Sequence, residues 1–275
     1  MKSITLLDII KNKSFTWYDN AGGTILREFS GFEYPSTNNS FQDLPSRLGA
    51  YYSASKFSTR RLSWQGDLVG ASIFANRRLM LAPMSQDELK LLKFTTYDDL
   101  QLQCEVAIDK MTFPYTNSVH TFLIEAIASD WRFYSQTLTE KIFGITDLLG
   151  GTSIPTSIPI DLNNDGIADD NIVVNAGDED TFPIITIKGA GSTFVVGNSA
   201  NNQSFTLNVA LEAGEEVVID CKNRTVMFGS TNLFDAFDGD FIMLESGDNT
   251  IAFSCTGDGV DTSIKFEYRS AYRGI

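Results

Sequence analysis

Between Asp161 and Asp170 the chain reads Asp-Leu-Asn-Asn-Asp-Gly-Ile-Ala-Asp-Asp. Asp161, Asn163 and Asp165 stand on alternate positions ahead of Gly166; Ile167 offers a backbone carbonyl, and Asp169 and Asp170 follow. A hard cation such as calcium needs about six to eight oxygen ligands, and alternating side-chain oxygens around a glycine turn suit that demand. The loop reads either as an Asx-rich turn joining two domains or as a candidate Ca2+ site. Position twelve of a complete EF-hand loop would be Ile172 in place of the bidentate Glu, so a site would close with Asp170 or a group from elsewhere. No cofactor is required by anything else in the chain.

Catalytic chemistry has little to stand on. The sole histidine, His120, opens an apolar run and reads as a strand-end or interface residue. The chain contains no Gly-x-Ser-x-Gly, phosphate loop or His-Glu-x-x-His, and the expectation is that it is not an enzyme. The doublets Arg60-Arg61 and Arg77-Arg78 read either as solvated strand ends or as a ring of charge at a subunit contact or around a channel. Cys104, Cys221 and Cys255 cannot all pair and show no metal-binding spacing, so buried free thiols are expected, although Cys221 and Cys255 could be neighbours on adjacent strands.

The elements that must carry these residues are mainly β. Leu100–Ile108 has a clean period of two, and His120–Ala128 reads as a further strand. Arg60–Leu81 reads as strand, turn, strand, with the turn at Gln65-Gly66-Asp67. Ser85–Leu92 carries a capping box, Ser85 with Glu88, and is expected to be the one short helix. From Ile172 to Tyr268 short strands alternate with Gly and Asn clusters, the rhythm of an antiparallel sandwich or jelly roll without helix; Phe241–Leu244 is one of those strands.

Charge divides the chain more sharply than composition does. Residues 1–150 carry 15 Lys and Arg against 16 Asp and Glu, whereas residues 151–275 carry 6 against 19. An acidic second half repels phosphates, so sequence-specific nucleic-acid binding is not expected there. No apolar run reaches the roughly 20 residues of a membrane helix, so membrane insertion is not expected either. The organisation expected is a domain over 1–150, a Pro-containing linker with the acidic loop over 151–170, and a second domain over 171–275 that opens at Asn175–Gly191.

Several phrases resemble the distal tail proteins of siphophages. In the first half these are Arg61-Leu62-x-Trp64-x-Gly66-Asp67-Leu68-Val69-Gly70, Arg77-Arg78-Leu79, and Ala128-Ser129-Asp130-Trp131-Arg132-Phe133-Tyr134. The last departs from the family's Asp-Pro-Phe-Phe-Tyr by having Trp131-Arg132. In the second half they are Asn175-x-Gly177-Asp178, Pro183-Ile184-Ile185-x-Ile187-x-Gly189, Gly214–Asp220, Arg224-Thr225-Val226, and Phe241-x-x-Leu244-x-Ser246-Gly247-Asp248-Asn249-Thr250-Ile251.

The resemblance implies a β-barrel-like N-terminal domain that forms a homohexameric ring, followed by a galectin-like β-sandwich. It implies a hub in the virion's tail tip, assembled in the host cytoplasm, with the tail tube protein, the tail-associated tip protein and the tape measure protein as partners. A receptor-binding protein or a host glycan is a further candidate partner. The alternative from another class is a free carbohydrate-binding module or adhesin, which would bind glycan through exposed Trp or Tyr.

Overall fold

The computed structural model describes residues 1–19, 21, 23–43, 48–70, 73–84, 88–113, 120–144, 171–256 and 262–275. The chain divides into two compact units, Met1–Gln136 with Tyr272–Ile275, and Thr137–Ala271. The expected acidic linker and loop, 151–170, lie outside the described residues. The first unit ends well before residue 150, because Thr139–Gly144 pairs with Ser263–Tyr268 in a sheet of the second.

In the first unit β1 (Ser3–Asp8), β2 (Lys13–Tyr18), β3 (Thr24–Ser30), β4 (Thr37–Asp43), β5 (Ala50–Phe57) and β6 (Arg60–Leu68) precede helix α1 (Ile73–Leu81). β7 (Lys90–Thr95), β8 (Gln101–Thr112), β9 (His120–Ala128) and β10 (Phe133–Ser135) follow. The main antiparallel sheet runs β2-β1-β7-β8-β9-β6-β3. Alternation puts Ile4 and Leu6, Leu92 and Phe94, and Phe122, Ile124 and Ala126 on one buried face. That face curls on itself: Trp17 on β2, at one end of the order, meets Trp64 on β6 at 5.6 Å between ring centres and Phe122 on β9 at 6.1 Å. The ends approach where the Tyr18 N–H donates to Thr24 Oγ1 at 2.9 Å. No ladder joins β2 to β3, so the sheet is curled and open in its pairing, barrel-like without being a closed barrel.

Two expectations are corrected here. Of the helix predicted at Ser85–Leu92, residues 85–87 lie outside the described residues and the remainder is not helical: Lys90–Thr95 is strand, with β1 on one side and β8 on the other. Ladders on both sides of Leu91–Thr95 outweigh a local capping signature. The helix lies instead at Ile73–Leu81, where Ala, Arg, Leu and Met supply good helix formers, and Met80 is its buried anchor, its sulfur accepting from Trp17 Nε1 at 3.0 Å. Nor does the chain turn at Gly66, since β6 runs straight through it. Glycine is needed for close approach, because a Cβ there would stand 2.0 Å from the Ile25 carbonyl oxygen.

The second unit contains β11 (Thr139–Gly144), β12 (Ile172–Asn175), β13 (Ile184–Lys188), β14 (Thr193–Asn198), β15 (Gln203–Leu207), β16 (Glu216–Asp220) and β17 (Thr225–Phe228). β18 (Thr231–Asn232), β19 (Phe237–Gly239), β20 (Gly247–Thr256) and β21 (Ser263–Tyr268) complete it. One sheet is ordered β11-β21-β13-β16-β17-β18 and the other β12-β20-β14-β15-β19. Both contribute to one core, with Ile185, Ile187, Val217 and Phe266 from the first and Phe194, Val196, Phe205 and Ile251 from the second, which makes a sandwich. A 3-10 turn at Phe234–Ala236 stands where no helix was expected.

Phe241–Leu244 is not the expected strand. Three buried amides replace a strand partner for this segment. Asn198 Nδ2 donates to Met243 O at 3.0 Å and to Asn249 Oδ1 at 2.9 Å. Asn249 also accepts from Glu245 N and donates to the Glu245 and Gly247 carbonyls. Asn175 Nδ2 donates to Glu179 O at 2.7 Å and Leu244 O at 3.2 Å, while its Oδ1 accepts from Gly177 N. Gly177 is itself fixed by space, since a Cβ would sit 1.8 Å from the Ala271 carbonyl oxygen. The phrases Asn175-x-Gly177 and Gly247-Asp248-Asn249 are therefore structural staples. Replacing Asn249 by Ala strips four hydrogen bonds from a buried site, and the expected cost is about 2–4 kcal/mol in denaturant unfolding of the full chain. A loss below about 0.5 kcal/mol would contradict the staple.

The first unit also buries a charge pair: Lys90 Nζ lies 3.0 Å from Asp8, both side chains essentially inaccessible, with Glu88 at 3.5 Å. Lys90→Met leaves the Asp8 carboxylate buried without that cation, and a loss of about 3–5 kcal/mol is expected. The double change Asp8→Leu with Lys90→Met is expected to recover most of it; an equally unstable double variant would refute the pairing argument.

Candidate assembly surfaces

Arg60 and Arg61 separate once folded, because neighbouring residues on a strand face opposite ways, whereas Arg77 and Arg78 lie on helix α1. Arg60 is 2% exposed and spends its donors on backbone carbonyls, Nε on Trp131 at 2.9 Å, Nη1 on Gly31 at 3.0 Å and Glu33 at 2.8 Å, and Nη2 on Arg273. Its guanidinium lies over the Phe133 ring at 4.1 Å. Burial lowers its pKa to about 10, which leaves it charged at neutral pH. A residue so enclosed cannot line a channel or meet another subunit, and that expectation for Arg60 is corrected. Arg61 points outward, with Asp109 at 3.7 Å. Arg77 lies over the Phe113 ring at 4.3 Å, and Arg78 is exposed on α1.

Sequence reasoning missed the most exposed element. β4 and β5 form a two-stranded sheet of their own, and nearly every residue on both strands is exposed. Phe41 and Tyr52 face each other across the pair at 5.8 Å, and Phe41, Tyr51 and Tyr52 are 62%, 64% and 51% exposed. An isolated hairpin is marginal in water, so this arm depends on its root. There Phe57 stacks on Trp131 at 4.1 Å, Tyr34 meets Phe57 edge-on at 5.9 Å, and Arg132 and Arg273 lie over Trp131 and Tyr34. The only sequence signal was the loop-like, aromatic-dotted composition of this stretch, which does not distinguish a packed strand from a bare one.

Helix α1 also turns apolar groups outward. Phe74, Leu79 and Leu81 are exposed, beside Arg78, whereas Ile73, Asn76 and Met80 face inward. His120 sits at the start of β9, its ring edge-on to Phe74 at 5.3 Å. A cleft of about 390 Å³ beside β3 is lined by Arg27, Glu28, Ser30, Ser63 and Gln65, among others. Its polar groups are engaged with one another, Gln65 Nε2 with Glu28 at 2.6 Å and Ser30 with Ser63 at 2.8 Å.

Asp161, Asn163, Asp165, Ile167, Asp169 and Asp170 all lie outside the described residues. Among the described residues no group of three His, Cys, Asp or Glu side chains is placed to hold a metal ion. All three cysteines are free. Burial raises the thiol pKa values, that of Cys221 to about 12, so Cys104 and Cys221 are poor nucleophiles.

Residues 176–272 match the family model described as the siphovirus-type tail component, C-terminal domain. No curated protein matches the chain. Among solved structures, the Dit protein of phage SPP1, described as a paradigm of the hub adsorption apparatus in phages infecting Gram-positive bacteria, is 10% identical with a TM-score of 0.66, over 96% of this chain and 98% of that one. The baseplate of phage P2 in its activated conformation with calcium gives 12% identity and a TM-score of 0.50, over 97% of this chain and 98% of that one. With strontium the identity is 14% at the same TM-score and the same shares. Over 176–272 the chain is therefore matched to the C-terminal domain of siphovirus-type tail components, and over nearly its whole length it has the fold of the phage Dit protein.

Proposed function

We propose that this protein is the distal tail protein of a siphophage, a non-catalytic hub at the tip of the virion's tail. Six copies form a ring that joins the tail tube to the tail-associated tip protein, the tape measure protein and the receptor-binding parts. The observation that carries this reading is the likeness to the SPP1 Dit protein, which runs through both units in order and covers 96% of the chain.

Surface physics supports the division of labour. Of 21 exposed large apolar side chains among the described residues, 14 belong to the first unit. That unit can bury wide faces against copies of itself, because residues 1–150 are nearly neutral. The adhesin alternative needs exposed Trp or Tyr on the sandwich. The second unit has no Trp, and its one Tyr, Tyr268, is 4% exposed with its hydroxyl donating to Val174 O. The calcium reading of Asp161–Asp170 rests on oxygen spacing alone and is part of this proposal.

Native mass spectrometry of the purified full-length chain is expected to give six times the 30.4 kDa chain mass. A strict monomer at every concentration, combined with binding on a glycan array, would replace the hub with the adhesin. Calorimetric titration with Ca2+ is expected to show one site, lost in the double variant Asp161→Ala with Asp165→Ala; no heat with the native chain would make the segment a turn.

A further inference from the structure

We propose that Lys90 Nζ and the side-chain carboxyl of Asp8 condense to an intramolecular amide, with Glu88 carrying the proton, so that strands β1 and β7 become covalently joined. The bond forms within one chain and does not depend on the ring.

The reacting groups stand together in the fold. Asp8 ends β1 and Lys90 opens β7, and the register that pairs Leu7 with Leu91 sets the two opposite one another one step further on. Both lie on the buried face of the sheet, continuing the rows of Ile4 and Leu6 on one strand and of Leu92 and Phe94 on the other. On the far side of Lys90 the register places the buried Val106 of β8. Nζ stands 3.0 Å from Asp8 Oδ2, the two side chains being 0% and 1% exposed. Glu88 Oε2 lies 3.5 Å from the same nitrogen, on a side chain one-third exposed. Asp8 Oδ1 accepts from the Lys11 backbone N–H at 2.9 Å. Lys2 with Asp99 and Lys265 with Glu267, by contrast, are open to solvent, which keeps the amine charged and the carboxylate hydrated.

Burial changes what a lysine and an aspartate can do. In apolar surroundings a charge pair is costly, and passing one ammonium proton to the carboxylate leaves a neutral amine beside a neutral carboxylic acid. The amine lone pair then attacks Asp8 Cγ. Negative charge builds on Oδ1, where the Lys11 N–H already donates. Glu88 takes a proton from the nitrogen and delivers it to the hydroxyl at Oδ2. The Cγ–Oδ2 bond breaks, the Nζ–Cγ bond becomes an amide, and Oδ2 leaves as water. Of the three ammonium protons one stays on the amide nitrogen and two depart with that water. Glu88 returns as a carboxylate, and no oxidant or activating group is consumed. Contact between the two groups supplies the effective concentration that such a condensation lacks in bulk water.

The bond sits where the sheet has most use for it. In the order β2-β1-β7, the hairpin of β1 and β2 is laddered to the remaining strands through β7. An amide between Asp8 and Lys90 keeps that hairpin attached even when its ladder opens, which the ion pair of the uncondensed chain cannot do.

Intact-mass spectrometry of the full-length chain, purified folded and then denatured, is expected to give the sequence mass less one water. An acylated lysine resists trypsin, so digestion is expected to yield residues 3–11 joined to residues 79–93. That product separates the amide from a succinimide, which also loses one water but joins no peptides. Lys90→Met is expected to stay at full mass. Glu88→Gln, a change on a partly exposed side chain, is expected to fold with an unchanged circular dichroism spectrum and to form the bond at least about a hundredfold more slowly. A folded native chain that keeps its full mass after prolonged incubation, or a water loss mapped to any other site, would overturn the proposal. Bond formation at the native rate in Glu88→Gln would overturn the role given to Glu88.

Discussion

One buried guanidinium ties the first unit together. Arg60 collects the carbonyls of Gly31, Glu33, Trp131 and Arg273, from the segment before the arm, the turn after β9 and the end of the chain. No carboxylate is within the set. Backbone carbonyls turned inward need donors, and a planar group with five N–H donors can serve several at once where a lysine could not. The desolvation of the cation is offset by those bonds and by the Phe133 ring beneath it. The same residue thereby fixes the root from which the exposed arm departs.

The second unit solves a comparable problem with neutral amides. Asn175, Asn198 and Asn249 are buried and bond the irregular Phe241–Ser246 segment, which is in no strand. Amide side chains both donate and accept, so each can stand in for a length of ladder. Phrases that look in sequence like a binding loop, rich in Asn, Asp and Gly, are in fact what holds a loop against the sandwich.

These two devices leave the surfaces free to differ. Polar staples secure the interior, and four exposed aromatics, Phe41, Tyr51, Tyr52 and Phe74, stand on the arm and on helix α1. The acidic residues are concentrated in the half whose exposed face holds few large apolar groups.

Much was legible in the sequence because it is local. The period of two in Leu100–Ile108 and His120–Ala128 gives strands there, and the order of short strands after Ile172 gives most of the sandwich. The charge difference between the halves is likewise a property of composition alone. The rest depended on partners far along the chain. Lys90–Thr95 became a strand because β1 and β8 flank it; Gly66 is required because β3 passes within contact of it; Arg60 turned inward while Arg61 turned out. Phe41, Tyr51 and Tyr52 have the composition of buried strand residues, and among the described residues no third strand lies beside β4 and β5 to cover them. Alternation says that a strand has two faces, but which face is covered is set by what packs against it, and that is decided at a distance no local pattern spans.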